Sequence, residues 1–428
     1  MSSTGRRQSD QAPLQGLRVL DLSSMIAGPL AAQILADYGA DVIKIEPPDG
    51  DLMRKGGTLK HPTMGSFHLQ LNRNKRSLVL DIKQPAARAA LLRLCERADV
   101  LIHNIRPAAM RRLKLGYDDV RKVNPRLVYL SLMGYGENGP YAGKPAYDDL
   151  IQGICALPAL TAWANGHEPR YVPLTVVDRV VGINAAHAVL AAVYRRDRVG
   201  EGQAVELPMF ETMAQFVLGD HIAGRMFDPP IGPAGNPRLR SAARRPYETR
   251  DGHVCALIYT DKHWNAFFEG FGRRDLHAAH PHLAHFASRR LHYEDMHRLI
   301  AGILGALTTA EALALFERCD IPCAPMNDLD ALIDDRHLAA VEFFQTETHP
   351  TEGRIRYAGI PSRWNGGALP ITRHAPHLGE HSLAVLKEAG LAAADIDALL
   401  GSGATIDGER PAAAGTGPQL VARKSPMP

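Results

Sequence analysis

The stretch from Leu17 to Pro48, LRVLDLSSMIAGPLAAQILADYGADVIKIEPP, decides the fold class of this chain. It opens with a short apolar run, Arg18 to Leu22, which predicts a β-strand. A turn at residues 27–29 leads into an apolar-periodic segment that predicts a helix through Tyr38. Asp41 to Ile45 then predict a second strand. A strand, a helix and a second short apolar strand in this order form a parallel βαβ unit.

The same alternation continues along the chain, so we expect an α/β fold with a doubly wound parallel sheet covered by helices. The further predicted strands are Ser77 to Ile82, Val100 to Asn104, Leu127 to Leu132 and Ala204 to Met209. The predicted helices between them are Pro85 to Arg97, Ala108 to Leu113 and Tyr117 to Val123.

The character of the sequence changes near Met226. Residues 227–245 are rich in proline and arginine and lack periodicity, which is typical of a linker or a binding loop. A hairpin pattern around Asp251 and a mostly helical stretch, Leu291 to Arg318, then predict a smaller α+β domain. The strand-like stretch from Gly353 to Trp364 indicates a return to the first domain.

These changes give the expected domain organisation. Residues 14–225 form the first part of a large domain, 226–325 the linker and small domain, and 326–400 the return to the large domain. Residues 401–428 consist of glycine, alanine, proline and small polar types, and we expect a disordered tail there.

Composition narrows the class of protein. The chain has 428 residues, of which 45% are hydrophobic and 22% charged, and its net charge of +3 is too balanced for a nucleic-acid-binding surface. We find no apolar run of membrane-spanning length and no leader, so we expect a cytoplasmic protein without a membrane partner. The five cysteines are scattered, which predicts free thiols in a reducing compartment.

A candidate nucleophile lies in the segment from Val172 to Met209. Apolar residues from Val172 to Val177 predict a short strand that stops at Asp178, and residues 180–194 follow at helical period. A carboxylate at a helix start meets free backbone N–H groups and the positive end of the helix dipole, which favour the ionised form. Such an aspartate is able to act as a nucleophile, although an ordinary N-cap is the commoner role.

Several motif matches fail on their context. Residues 134–139, GYGENG, fit the dinucleotide pattern GxGxxG, but Pro140 follows where a helix is needed. His377 to His381 fit the zinc pattern HxxEH, but Gly379 interrupts the helix that would align the histidines. Histidines between residues 277 and 285 lack nearby cysteine or carboxylate ligands, and neither GxSxG nor a Walker A motif occurs. We therefore expect no metal site.

Basic residues recur beside the loops of the predicted sheet. Any one of them is typical of a solvated surface, but as a set near strand ends they could hold a phosphorylated ligand. They are Lys75, Arg76, Lys83, Arg106, Arg111 and Arg112.

Taken in order from about Leu14 to about Leu400, the motifs of this chain resemble those of family III CoA-transferases. The matching motifs are LRVLDL, LADYGADVIKIE, NRNKRSLVLDIK, ADVLIHNIRP, NPRLVYLSLMGYGENGP, the Asp178 segment with GEGQAVEL, and APHLGEH. The group includes formyl-CoA and carnitine-CoA transferases and, on the same fold, α-methylacyl-CoA racemases. The resemblance implies a large Rossmann-like domain built from both chain ends, a small domain, and two subunits interlocked as a homodimer.

The resemblance also implies which residues form the site. The catalytic aspartate of the family falls on Asp178, which would form acyl anhydride and CoA thioester intermediates. Coenzyme A thioester and a small carboxylic acid would be the substrates, and no prosthetic group is implied. The implied CoA-binding residues are Ile26, Ala27, Leu80, Asp81, Ile82, Lys83, Asn104, Ile105, Arg106, Arg112, Lys144, Pro145, Ala146 and Tyr147.

Departures from the family pattern refine the function. Racemases carry a histidine where this chain has Tyr147 and Asp148, which favours transfer over racemisation. Formyl-CoA transferases carry a glutamine at the position of Ile26 and a glycine run where this chain has GNPRLRSAARRP, so oxalate/formate exchange is not expected. That loop either binds the distal carboxylate of a diacid such as succinate or is a solvated basic loop. Its arginines are Arg238, Arg240, Arg244 and Arg245.

Two other functions stay open at this point. An acyl-CoA racemase or isomerase of the same fold would use Asp178 for proton transfer at the α-carbon. A CoA-binding protein without catalysis is also compatible with the loops, but it gives Asp178 no role. A CoA-transferase with succinyl-CoA as a candidate donor agrees best with the residues present.

Overall fold

A computed structural model of the chain describes residues 12–166 and 168–408. The chain divides into two compact units. The first contains residues 12–144, 178–208 and 344–408, and the second contains 145–177 and 209–343.

The first unit is built on a six-stranded sheet with the strand order β3-β2-β1-β4-β5-β6. All neighbouring strands are parallel, with Leu20 opposite both Ile43 and Leu101. This is the doubly wound arrangement, and the predicted parallel sheet is confirmed. The strands are β1 (Arg18–Asp21), β2 (Asp41–Glu46), β3 (Lys75–Val79), β4 (Val100–His103), β5 (Val128–Met133) and β6 (Gln203–Pro208).

Nineteen helices occur in the described residues, with proline as the first residue of several, where its missing amide is not needed. They are α1 (Ala27–Asp37), α2 (Ser66–Asn72), α3 (Pro85–Cys95), α4 (Pro107–Arg112), α5 (Tyr117–Val123), α6 (Asp148–Ile154), α7 (Leu157–Asn165), α8 (Val176–Val199), α9 (Met209–His221), α10 (Pro237–Arg240), α11 (Asp261–Gly270), α12 (Arg274–Ala279), α13 (Phe286–Arg289), α14 (Tyr293–Leu304), α15 (Thr309–Arg318), α16 (Leu329–Ile333), α17 (Arg336–Ala340), α18 (Ser382–Glu388) and α19 (Ala393–Gly401).

The core of the first unit lies on both faces of the sheet. On one face, leucines and valines of α3, α5, α18 and α19 pack with strand residues such as Ile45, Leu78 and Leu101 in one buried cluster. In the helices beyond that cluster, α1 buries Ala31 and Leu35, and α8 buries Val181 and Ala185. Strands buried on both sides explain why these segments are continuous apolar runs.

The second unit has its own core beside a three-stranded antiparallel sheet in the order β7-β8-β9. Trp264, Phe267, Phe268 and Phe316 are fully buried there, with the rings of Trp264 and Phe268 4.8 Å apart. The strands are β7 (Tyr247–Thr249), β8 (Gly252–Ala256) and β9 (Cys323–Pro325). In the first unit, two hairpins follow: β10 (Phe344–His349) with β11 (Gly353–Ala358), and β12 (Arg363–Trp364) with β13 (Gly367–Ala368). All five cysteines are free thiols.

The structure differs from the expected organisation in three places. The apolar residues 172–177 do not form a strand, because Val176 and Val177 already belong to α8. Residues 145–177, 209–225 and 326–343 belong to the second unit, so its bounds differ from the expected 226–325.

The third difference concerns the expected tail. Residues 401–408 are ordered: Ala404 and Thr405 are buried, and the Asp81 amide donates to the Ala404 carbonyl at 2.8 Å. Small residues suit this close packing. The rest of the expected tail, 409–428, lies outside the described residues.

Among the described helices, α8 is long and apolar enough by itself to cross a membrane, which the sequence reasoning did not anticipate. The bent pair α14 and α15 passes the same test only if it counts as one span. Val181, Ala185 and Val189 of α8 are nevertheless fully buried, as in the core helix of a globular unit.

Candidate active site

The strand order reverses between β1 and β4, where the two connections leave the sheet in opposite directions. Ligands of open α/β sheets bind at such a point, outside the carboxyl ends of the strands. Two reciprocal hydrogen bonds join the loops after β1 and β4 here. The Ser24 amide donates to Asn104 Oδ1 at 3.0 Å, and Asn104 Nδ2 donates to the Ser24 carbonyl at 2.8 Å.

A cavity of about 510 Å³ opens at this edge of the sheet. Its wall contains predicted CoA-binding residues, namely Leu80 to Lys83 after β3 and Ile105 after β4. The remaining lining comes from residues 22–25 after β1 and residues 44–52 in and after β2. The sequence reasoning missed both of these segments, although their position after predicted strands was a usable indication.

Buried charges hold the loop after β1. Lys44 Nζ donates to the Ser23 carbonyl at 2.8 Å and to Asp51 Oδ2 at 2.9 Å. The other oxygen of Asp51 accepts the amides of Met25 and Met53, at 3.2 and 3.0 Å. Burial acts to lower the pKa of Lys44, but attraction to Asp21, Asp51 and Glu46 raises it overall. Lys44 is therefore a buried cation that fixes the backbone bordering the cavity.

Two of the expected phosphate-binding residues have other partners. Lys75 is fully buried and donates to Asp21 Oδ2 at 2.8 Å. Burial, only partly offset by Asp21, lowers the pKa of Lys75 to about 8. Arg76 is paired with Asp41 and Glu388, at 2.7 and 2.8 Å. The hypothesis that Lys75 and Arg76 hold a phosphorylated ligand is wrong, because both side chains are buried and already paired with carboxylates.

Asp178 is the third residue of α8, so it is not the predicted N-cap, but it still lies in the first turn. Because α8 leads directly into β6, its first turn lies at the edge of the sheet where the parallel strands end. Gly182, one turn later on the same face, lies so close to α1 that a Cβ atom would be 2.8 Å from the Ala27 carbonyl oxygen. The first turn of α8 therefore packs against the start of α1, and Asp178 is partly buried there.

Arg179, the residue that follows Asp178, places a positive charge beside its carboxylate. Burial lowers the pKa of Arg179, and attraction to Asp178 opposes that shift. The positive end of the α8 dipole acts in the same direction as this cation. Both favour the ionised carboxylate, the form that a nucleophilic aspartate needs.

The other predicted CoA-binding residues do not line the cavity. Ile26 and Ala27 are buried at the start of α1, next to the lining residue Met25. Arg106 precedes α4 and Arg112 ends it, and both are exposed. Lys144 is exposed, with Nζ 4.4 Å from the centre of the Tyr141 ring.

The predicted residues Pro145, Ala146 and Tyr147 belong to the second unit, where Tyr147 immediately precedes α6 and is 62% exposed. Further along α6, Gln152 was missed by the sequence reasoning. Gln152 Nε2 donates to Asp148 Oδ1 at 2.6 Å, and Gln152 Oε1 accepts the Val172 amide at 2.9 Å. Gln152 therefore fixes the loop that leads into α8.

The four arginines of the second-unit loop have different surroundings. Arg238 lies 5.7 Å from the ring centre of Tyr259 and 5.9 Å from that of Tyr293. The guanidinium carbon of Arg240 lies over the Trp163 ring, 3.6 Å from the ring centre. Arg244 and Arg245 are exposed. The loop is therefore not a uniform basic patch.

Comparison with known proteins agrees with this geometry. A family model described as CoA-transferase family III matches residues 14–382. The chain belongs to CoA-transferase family III. The resemblance seen in the sequence motifs is confirmed, and the protein is an enzyme of that family.

Curated relatives of this family III enzyme cover nearly its whole length. A succinyl-CoA:mesaconate CoA-transferase from Haloarcula hispanica is 32% identical over 389 residues, covering 88% of this chain and 96% of the relative. A formyl-CoA:oxalate CoA-transferase from Streptomyces coelicolor is 31% identical over 411 residues, covering 91% and 98%. These similarities show an enzyme that acts on CoA thioesters.

Solved structures show the same architecture. Rv3272 from Mycobacterium tuberculosis has a TM-score of 0.74 at 28% identity, covering 88% of this chain and 99% of its own. A CAIB/BAIF family protein from Brucella suis has a TM-score of 0.74 at 26% identity, covering 88% and 99%. The α/β fold with its parallel six-stranded sheet is common to these structures.

Proposed function

We propose that this family III enzyme moves CoA from an acyl-CoA donor to a carboxylic acid, with Asp178 as the covalent carrier. The observation that carries the proposal is the partly buried Asp178 in the first turn of α8, at the sheet edge that also holds the cavity. Succinyl-CoA is the proposed donor. Succinyl-CoA is part of the name of the Haloarcula hispanica relative and of a mouse succinyl-CoA:glutarate CoA-transferase that is 27% identical.

The proposed reaction divides the exchange into covalent steps. The Asp178 carboxylate attacks the donor thioester carbonyl, and CoA leaves as a thiolate to give a mixed anhydride. The thiolate then attacks the aspartyl carbonyl and releases the donor acid, which leaves a CoA thioester on Asp178. The acceptor carboxylate displaces the thiolate to form a second anhydride. Attack by the thiolate on the acceptor carbonyl releases acceptor-CoA and restores the carboxylate.

The residues predicted for CoA binding keep that role in the proposal. The 510 Å³ cavity supports it for Leu80 to Lys83 and for Ile105. The exposed cations Lys83, Arg106 and Arg112 would pair with CoA phosphates, since phosphate oxygens accept charge-assisted hydrogen bonds. Asn104 would act by fixing the Ser24 backbone, to which it is joined in both directions.

Hydroxylamine trapping tests the covalent role of Asp178. Incubation with an acyl-CoA and hydroxylamine should give an aspartyl hydroxamate at residue 178, detected by peptide mass spectrometry. Asp178→Asn should lose the adduct and lower kcat by about a thousandfold or more, since its amide is a poor nucleophile. It should still bind CoA, because the proposed CoA-binding residues remain.

The matched control is Asp118→Asn, which changes an exposed aspartate in the first turn of α5. It should leave both the adduct and kcat unchanged. If the wild-type enzyme gives no adduct, or if deuterium enters the α-carbon without any acceptor acid, a racemase would replace the transferase proposal.

We also propose a cytoplasmic homodimer. Each unit leaves large apolar side chains exposed, including Ile183 at 55% and Tyr194 at 65% on α8 of the first unit, and Phe216 at 57% on α9 of the second. Contiguous exposed apolar surface marks protein–protein interaction sites, and we propose that these side chains belong to such a surface. A second copy of the chain is the proposed partner, in the interlocked arrangement that the family implies.

A further inference from the structure

The second unit contains a cavity of about 670 Å³, within the size range of small-molecule sites. Its wall is formed by the end of α9 and the residues after it, by Asn236 to Arg238, by residues 257–259 after β8, and by the region of α13 and α14. All of these residues belong to the second unit. This cavity shares no lining residue with the cavity at the edge of the parallel sheet.

Most of the wall is apolar or aromatic. Ile222, Leu257 and Ile258 line it together with the aromatic pair Tyr259 and Phe286, whose ring centres are 4.9 Å apart. An apolar wall with a few convergent polar groups is the usual composition of a ligand pocket. A wall of this kind favours a ligand with an apolar body.

Arg238 is a charged residue of this wall that faces aromatic rings. Its guanidinium faces the rings of Tyr259 and Tyr293, and its backbone is fixed because Asn236 Oδ1 accepts the Arg238 amide at 3.1 Å. Within the described residues it forms no ion pair, although it is only partly exposed. A guanidinium held by aromatic faces and lacking a carboxylate partner is suited to bind an anionic ligand.

The other charged residues of the wall differ from Arg238 in burial or in sign. Arg289 is buried and already satisfied by Asp261 and by the carbonyls of Leu283 and Ala284. Arg290 adds a second, exposed cation, whereas Asp220 is the acidic residue of the wall and is also exposed. The balance of charge remains positive, which favours an anion.

We propose that this cavity binds a free carboxylic acid with an apolar or aromatic body, its carboxylate on Arg238 and its body against the aromatic wall. The inference goes beyond the proposed function, since it concerns binding by the second unit and does not depend on the role of Asp178. It also distinguishes Arg238 from Arg240, Arg244 and Arg245, which do not line this cavity.

Isothermal titration of the full-length protein with 4-phenylbutyrate, in the absence of CoA, tests the proposal. Saturable binding is expected, and the neutral 4-phenylbutanamide should bind about tenfold more weakly because it lacks the charge-assisted hydrogen bonds. Arg238→Met keeps an apolar stem between the tyrosines and should weaken binding of the acid by about tenfold while leaving the amide unchanged. Arg225→Met, an exposed arginine outside the cavity wall, is the matched control and should bind both as the wild type does.

A second variant tests the proposal independently, in case Arg238→Met does not fold. Phe286 is 41% exposed, so Phe286→Asp should fold, and its new carboxylate should repel the acid more than the amide. Absence of saturable binding to the wild type would overturn the proposal, as would equal affinity for acid and amide or an equal loss in Arg225→Met. Each of these results leaves hydroxamate formation at Asp178 unaffected, so failure here is distinguishable from failure of the proposed reaction.

Discussion

At the scale of single residues, Glu380 shows what the His377 to His381 motif does in the folded chain. Its carboxylate accepts the His377 amide at 2.7 Å and lies 3.0 Å from Nε2 of His374. Burial would raise the pKa of Glu380, but the hydrogen bonds from His374 and His377 outweigh it and lower the pKa to about 2. The same contact raises the pKa of His374. The pair joins two parts of the segment that packs against β3.

Glu380→Gln should therefore destabilise the protein in a pH-dependent way. The pKa of this carboxyl falls from 4.5 to about 2 on folding, so its contribution is present above pH 4.5 and is lost as the pH falls toward 2. At pH 6 the variant should lose about 1–2 kcal/mol of unfolding free energy, after discounting for solvent screening. Urea unfolding at pH 6 and pH 3 measures the difference.

The control for this prediction is Asp397→Asn, because Asp397 is exposed on α19. It should change the unfolding free energy little at either pH. A constant difference between Glu380→Gln and the wild type across this pH range would contradict the role given to the His374 contact.

At the scale of elements, the contact between α8 and α1 determines where Asp178 lies. Apolar periodicity predicted β1, β2, β4 and β5 to within one or two residues, since these strands are buried on both faces. It failed at residues 172–177, because the β-branched residues Val176 and Val177 have strand propensity but start α8. Packing of α8 against α1 overrides that local preference.

Gly182→Ala should disturb this contact. The new Cβ would lie 2.8 Å from the Ala27 carbonyl and 2.9 Å from Leu30 Cδ2, so α8 has to shift away from α1. We expect a loss of about 1–3 kcal/mol of stability, as for other overpacked sites, together with a lower kcat because Asp178 moves with the helix. Thermal unfolding and steady-state kinetics measure both effects.

Gly302→Ala on α14 provides the comparison. This glycine is also helical, but a Cβ there meets no atom within 4 Å. Alanine should stabilise the protein by about 0.5–1 kcal/mol through helix propensity and leave kcat unchanged. If both alanines stabilise, the close approach of α8 to α1 is not what fixes the position of Asp178.

At the scale of the whole molecule, the proposed dimer accounts for the exposed apolar side chains of both units. Light scattering should give twice the 46.6 kDa mass of one chain, since burying these residues stabilises association. Ile183→Asp, at a 55% exposed position on α8, should shift the mass toward that of a single chain. Ser402→Asp, an exposed position beyond α19, should not. A single-chain mass for the wild type across micromolar concentrations would refute the dimer.

The sequence by itself determined the parallel sheet, an aspartate at a helix start, the loops at the strand ends and the family. These follow from local periodicity and from motifs that are continuous in the chain. Only the tertiary structure decided which charges are available to a ligand. Lys75 is bound by Asp21, 54 residues earlier, and Arg76 by Glu388, 312 residues later. Such partners meet only when the strands assemble, and so no local pattern distinguishes these buried ion pairs from Arg238, which is left facing a cavity.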